Sequence, residues 1–135
     1  MRILLLTFWL ATAVFAHAQL AVTVSPPKVV GQKALLPLAM RNDFSEKIQS
    51  ARAVIFLLDE QGKMVAQATR WVIGDNNEKA GLSAGATNAF HFVIASDKPF
   101  TTTNLTAKVS FNRVVMEGGK VADVTKSVQI EHAAK

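Results

Sequence analysis

The stretch AVIFLLDEQGKMVAQATRWVIG, Ala53 to Gly74, sets two apolar runs on either side of a polar knot, Asp59-Glu60-Gln61-Gly62-Lys63. If the adjacent carboxylates are chemistry, the chain is an enzyme; if they are a turn, the stretch is a pair of strands. The run Ala53 to Leu58 is apolar at every position, and six residues alone do not separate a strand from a buried helix by period. Its valine, isoleucine and phenylalanine favour a strand. Unbroken apolarity predicts a central strand covered on both faces. Asp59, at the strand's end, is placed to accept hydrogen bonds from the backbone of the turn it opens, and Gly62 supplies the unusual φ. Glu60 is then a solvated turn tip. Retaining glycosidases hold two carboxyls about 5 Å apart, but across a cleft and on separate elements. Neighbours in one turn point apart, so the knot reads as a hairpin turn.

Outward from this hairpin the pattern keeps a period of two, the mark of half-buried strands. Leu20, Val22 and Val24 alternate with Ala21 and Thr23 before Ser25-Pro26-Pro27 ends the run. Prolines donate no ladder hydrogen bond, so the first strand is expected at an edge or switching sheets there. A second strand, Ala34 to Arg41, sets Leu36, Leu38 and Met40 on one face and Pro37 on the other, and Pro37 again suggests an edge. Phe90, Phe92 and Ile94 face opposite to His91 and Val93, and Leu105, Ala107, Val109 and Phe111 alternate with Thr106, Lys108, Ser110 and Asn112. Glu117-Gly118-Gly119-Lys120 reads as a tight hairpin, because paired glycines accept positive φ. A closing strand is expected over Val121–Ile130, with Lys126 as a bulge or a side chain snorkelling past the core rim. About seven short strands, with no strongly amphipathic helix and no repeat, predict an all-β, immunoglobulin-like antiparallel β-sandwich. The Cys…Trp…Cys signature of antibody domains is absent, so the likeness is one of architecture.

Residues Ile55-Phe56-Leu57-Leu58-Asp59 resemble the motif that names the FxLYD family of small exported β-sandwich proteins. Leu57 and Asp59 match; Ile55 stands where the motif has phenylalanine and Leu58 where it has tyrosine. A preceding strand ending in Arg41-Asn42-Asp43, the hairpin glycine Gly62 and the block Leu82 to Ile94 extend the resemblance over about half of the chain beyond residue 18. The resemblance implies a β-sandwich and no catalytic activity.

Residues 1–18 differ in kind from the rest. Met1-Arg2 is a short positive start, Ile3 to Ala16 an apolar run, and Ala16-His17-Ala18 a small-x-small cleavage pattern. This reads as a secretory signal peptide cut before Gln19, leaving a single domain over 19–135 and an exported, periplasmic or extracellular protein. The alternative is a retained anchor; spanning needs about 20 apolar residues, and His17 and Gln19 interrupt the run early. The chain has no cysteine, which excludes a disulfide framework, thiolate metal sites and a lipid-modified cysteine together. The net charge of +5 comes from 15 basic and 10 acidic residues; the basic ones are spaced singly along the chain, without the basic patch that nucleic-acid binding shows. Anionic surface polymers remain compatible with that charge.

Beyond the signal, the histidines are His91 and His132, too few to propose an oriented Ser/His/Asp triad or a zinc set. The loop Asp75 to Ala86 superficially resembles a calcium loop but has Lys79, Ala80 and Ala86 at its fifth, sixth and twelfth positions; Asp75 and Glu78 are left for a looser contact. Asn104-Leu105-Thr106 fits a glycosylation acceptor, meaningful in a eukaryotic secretory host. The candidate interaction residues are Arg70, Trp71 and Phe100. Arginine and tryptophan are enriched at binding hot spots, although Trp71 is expected to pack over the core with Val65 and Ile73 while Arg70 points outward, and Phe100 to plug an end of the sandwich. No catalytic residue, cofactor or metal is predicted. The expectation is an exported module acting by contact with a protein or surface polymer, without a nucleic-acid partner and without a membrane span after signal cleavage. The alternative is a periplasmic chaperone-like protein using an edge strand. A wall-sugar hydrolase ranks third, because no acid/base pair stands at workable spacing.

Overall fold

A computed structural model describes residues 19–74 and 80–134. The expected signal segment and the Asp75 and Glu78 positions of the loop lie outside the described residues. The chain is a β-sandwich. One sheet has five strands: β1 (Leu20–Val24), β2 (Lys28–Val30), β3 (Lys33–Asn42), β6 (Thr87–Ala95) and β8 (Val128–His132). The other has three, in the order β5 (Met64–Ile73), β4 (Ile48–Leu58), β7 (Thr106–Met116). Leu36, Leu38, Met40, Phe92 and Ile94 from the first sheet meet Ile55, Leu57, Ala107 and Phe111 from the second in one core. The alternation read from the sequence is what aims these side chains inward.

The hairpin at the knot is present. The Asp59 carboxylate accepts from the amides of Gln61 and Lys63, both at 2.9 Å, and Gly62 holds φ 78°. Replacing Asp59 with alanine removes both bonds from an exposed turn, and urea unfolding is expected to show a loss of about 1 kcal/mol. An unchanged midpoint would mean that the turn forms without its carboxylate.

Several expectations are corrected. β3 is not an edge strand: β6 runs along one side of it, and β1 and β2 share the other. Pro37 is tolerated there because its missing donor faces a gap. Its carbonyl accepts from the Ser25 amide at 3.0 Å, so its nitrogen faces the same side, where Pro26-Pro27 interrupts the partner strand. The opening strand neither ends at an edge nor changes sheets; β1 lies between β3 and β8, and after the prolines β2 continues along β3. The described residues thus form eight strands.

β4 is central, as expected, but covered on one face; Ala53, Ile55 and Leu57 are buried while Val54, Phe56 and Leu58 are half-buried. The closing strand is interrupted. Val121 makes a single bridge to Val115, a helical turn α1 (Val124–Ser127) follows, and β8 then pairs parallel with β1 in the other sheet. Asp123 causes the break by capping that turn: its carboxylate accepts from the Thr125 hydroxyl at 2.7 Å and the Thr125 amide at 3.0 Å. Those two bonds hold its carboxyl below the usual carboxylate range. Lys126 is an exposed residue of this turn, neither a bulge nor a snorkelling core-face residue. The β1–β8 pair is the one parallel ladder among the described strands.

Candidate interaction face

The outer face of the three-stranded sheet carries the half-buried side of β4. Residues directly opposite in an antiparallel ladder share a face. Val54 therefore lies between Thr69 and Ser110, Phe56 between Gln67 and Lys108, and Arg52 between Trp71 and Arg113. The Arg52 guanidinium stands 5.3 Å from the centre of the Trp71 ring, within cation–π range, and its Nε donates to Asn112 Oδ1 at 2.9 Å. Trp71 is half-buried under this arginine. Arg52, Lys108 and Arg113 give the face three positive charges, and the residues paired across it include no acid.

The expected placement of Trp71 over the core is thus overturned, while Arg70 is exposed, as expected. Trp71 lies opposite Arg52 on the outer face, while Arg70 lies opposite Ala53, which is fully buried, and so occupies an inward register position from which its side chain reaches solvent. Val65 and Ile73 do meet the core, as expected. The reason is a pair of bulges. The β4–β5 register shifts between Ala51 and Arg52 and again between Leu57 and Leu58, so Val72 and Val65 are extra residues that change the strand's phase on either side of Trp71.

Phe100 is at the far end of the sandwich, where its amide donates to the Gly31 carbonyl at 3.3 Å and its ring packs partly buried against the core. It is separate from the Trp71 face and plugs an end, as expected. Arg52 and Phe56 were missed by sequence reasoning. An unbulged hairpin about Asp59–Lys63 sets Arg52 against Arg70, and only the bulge brings the tryptophan opposite.

The described carboxylates are dispersed, and several are engaged locally. Glu60 accepts from the Thr102 hydroxyl at 2.6 Å, Asp43 is paired with Arg41 through two bonds of 2.8 and 2.9 Å, and Glu46 is 3.7 Å from Lys120. That pairing raises the pKa of the Arg41 guanidinium. Asp97 follows β6 at the end that holds the β2–β3 turn, and Glu117 lies at the opposite end, where its amide donates to Lys47. His91 is exposed on the outer side of the five-stranded sheet. Among the described residues no three His, Asp or Glu side chains are grouped as metal ligands, and no helix is long and apolar enough to cross a membrane.

No family model matches the chain, and no curated protein does. Solved structures do. A Bordetella pertussis protein given the provisional designation ApaA in its crystal structure aligns with a TM-score of 0.54 at 18% identity, over 76% of this chain and 84% of that one. An X-ray structure of a structural-genomics target aligns with a TM-score of 0.54 at 15% identity, over 77% of this chain and 79% of the other. The likeness is one of fold. Both neighbours support the sandwich architecture, and at these identities neither carries a function across.

Proposed function

We propose that the chain is a non-enzymatic interaction module of the cell envelope or secreted space, exported by its leader, that binds a protein or surface polymer through the outer face of its three-stranded sheet. The reading rests chiefly on one observation: Trp71 stands outside the core, beneath Arg52, on a sheet face that no described layer covers. Aromatic and arginine anchors of this kind carry binding energy out of proportion to their area. The positive charge of the face favours an anionic partner. The dispersal of the described carboxylates, with Asp59 in a turn, Asp123 in a cap, and Asp43 and Glu46 beside basic side chains, supports a role without catalysis. Burial of Leu57 and the turn role of Asp59 are compatible with the FxLYD resemblance, which forms part of this reading.

The test is recovery of partners from the native envelope with wild type and with Trp71→Ala. Because Trp71 is half-exposed, its truncation is expected to lower stability by about 1 kcal/mol, against roughly 3 to 5 kcal/mol for a core tryptophan. The variant therefore stays folded, and partners held by the face are lost from it. Equal recovery from both proteins would remove this face as the binding surface. The chaperone-like alternative requires an open edge lined by alternating apolar side chains, and β7 has one over Thr106–Asn112.

A further inference from the structure

The upper part of β7 is closed by the chain's own hairpin: Val121 bridges Val115, and the Ala122 amide donates to the Val114 carbonyl at 2.9 Å. Below it, among the described residues, no strand pairs with the outer edge of Thr106–Asn112. The sheet switch is the cause, since α1 carries β8 away to β1. An unpaired edge presents alternating amides and carbonyls, a template for another strand. The opposite edge of the same sheet is blunted: β5 has Arg70 in an inward register position and a bulge at each end. Inward charges and bulges are the devices that discourage edge pairing. Thr106–Asn112 is a run of regular register ended by the bulge at Asn112, and Lys108 is its single charged residue.

We propose that this edge pairs with the same edge of a second copy of the chain, antiparallel about a two-fold axis at Val109, so that two three-stranded sheets join into one of six. Val109 is the midpoint between the start of β7 and its bulge, so this register uses every residue of the run. Residues opposite one another share a face. Thr106 then meets Asn112 and Lys108 meets Ser110 on the outer side, while Ala107 meets Phe111 on the inner side, small against large. A register centred on Lys108 sets like charges directly opposite, which is unfavourable. A concavity of about 330 Å³ also lies at this point, bounded by Phe56, Lys108, Val109, Ser110 and His132, and offers room for the partner's strand. Such a contact is self-complementary, as a two-fold interface must be. The axis is normal to the sheet, so both Trp71 faces point the same way. A ladder of seven residues is a small interface, and association is expected on the order of micromolar.

Sedimentation velocity of the full-length protein over a concentration series tests this. Wild type is expected to pass from one chain to two as concentration rises. Ser110 is exposed, so its substitution leaves the core intact. Ser110→Lys sets two lysine pairs across the axis and should weaken the dimer, whereas Ser110→Glu sets two opposite-charge pairs there and should tighten it, each by roughly threefold to thirtyfold. Lys108→Glu combined with Ser110→Lys restores the pairing with its charges reversed. A wild type that stays single at every concentration overturns the proposal, and so do Ser110→Lys and Ser110→Glu moving association in the same direction. Amide protection over Thr106–Asn112 that appears only on adding a different polypeptide, with the chain itself single, overturns it in favour of strand addition by a client.

Discussion

Gly81→Ala is expected to destabilise the protein by about 3 kcal/mol or more. A methyl group at this position would collide with the Ile48 carbonyl oxygen and lie 3.0 Å from that of Gln49. Both are backbone atoms, so no rotamer change relieves the contact. The segment is held against β4 by two reciprocal bonds, Ile48 amide to Leu82 carbonyl at 2.9 Å and Leu82 amide to Ile48 carbonyl at 2.8 Å. The alanine variant must give up this bridge or displace the start of β4, where Ile48 is fully buried. In thermal unfolding, at roughly 4 °C per kcal/mol for a domain of this size, the midpoint should fall by about 12 °C. A fall of less than about 4 °C would mean that the segment moves away from Ile48 without loss.

The second large effect concerns Asn42, a fully buried polar residue at the end of β3. Its side-chain amide donates to the carbonyls of Glu46 and Leu82, and its side-chain oxygen accepts from the Phe44 amide, each at 2.9 Å. One side chain thereby ties the end of the first sheet to the segment that crosses the start of the second. Asn42→Ala removes these partners from the Glu46 carbonyl and the Phe44 amide, leaves the Leu82 carbonyl with the Ile48 amide alone, and should cost about 3 kcal/mol. Asn42→Asp should cost more, because it aims a carboxylate oxygen at two carbonyl oxygens within a buried site. Urea unfolding of the two variants checks both the size and the order; an aspartate milder than the alanine would refute the bonding pattern. Asn42 and Gly81 act on the same bridge at Leu82, so the double variant should lose less than the sum of the single losses.

The hairpin at Asp59–Lys63 was legible because an aspartate and a glycine at fixed offsets are a local signal, sufficient to form the turn without long-range help. The inward faces of β1, β3, β6 and β7 were legible for a similar reason: alternation is imposed on each strand by its own pleat. Pro37 misled because the effect of a missing amide depends on what faces it, here the Pro26-Pro27 gap between β1 and β2, and the pairing that brings the two together is not a property of either segment alone. Val121 to Ile130 misled because Ala122, Val124, Val128 and Ile130 satisfy a period of two even though the Asp123 carboxylate winds the residues between them into a helical turn. The Asp123-Val124-Thr125 spacing carried that signal. Trp71 was the costliest misreading. Two single-residue bulges, at Val65 and Val72, keep its neighbours in the core and turn the tryptophan outward, and no local composition marks them.

Fluorescence of Trp71 tests the central claim most directly. The chain has two tryptophans, Trp9 and Trp71, so Trp9→Phe isolates the signal of Trp71 in the full-length protein. A ring half-exposed beneath Arg52 should be readily quenched by acrylamide in the folded state, with an emission maximum intermediate between those of buried and free tryptophan. A blue-shifted emission that acrylamide does not reach until the protein unfolds would place Trp71 in the core and contradict the account.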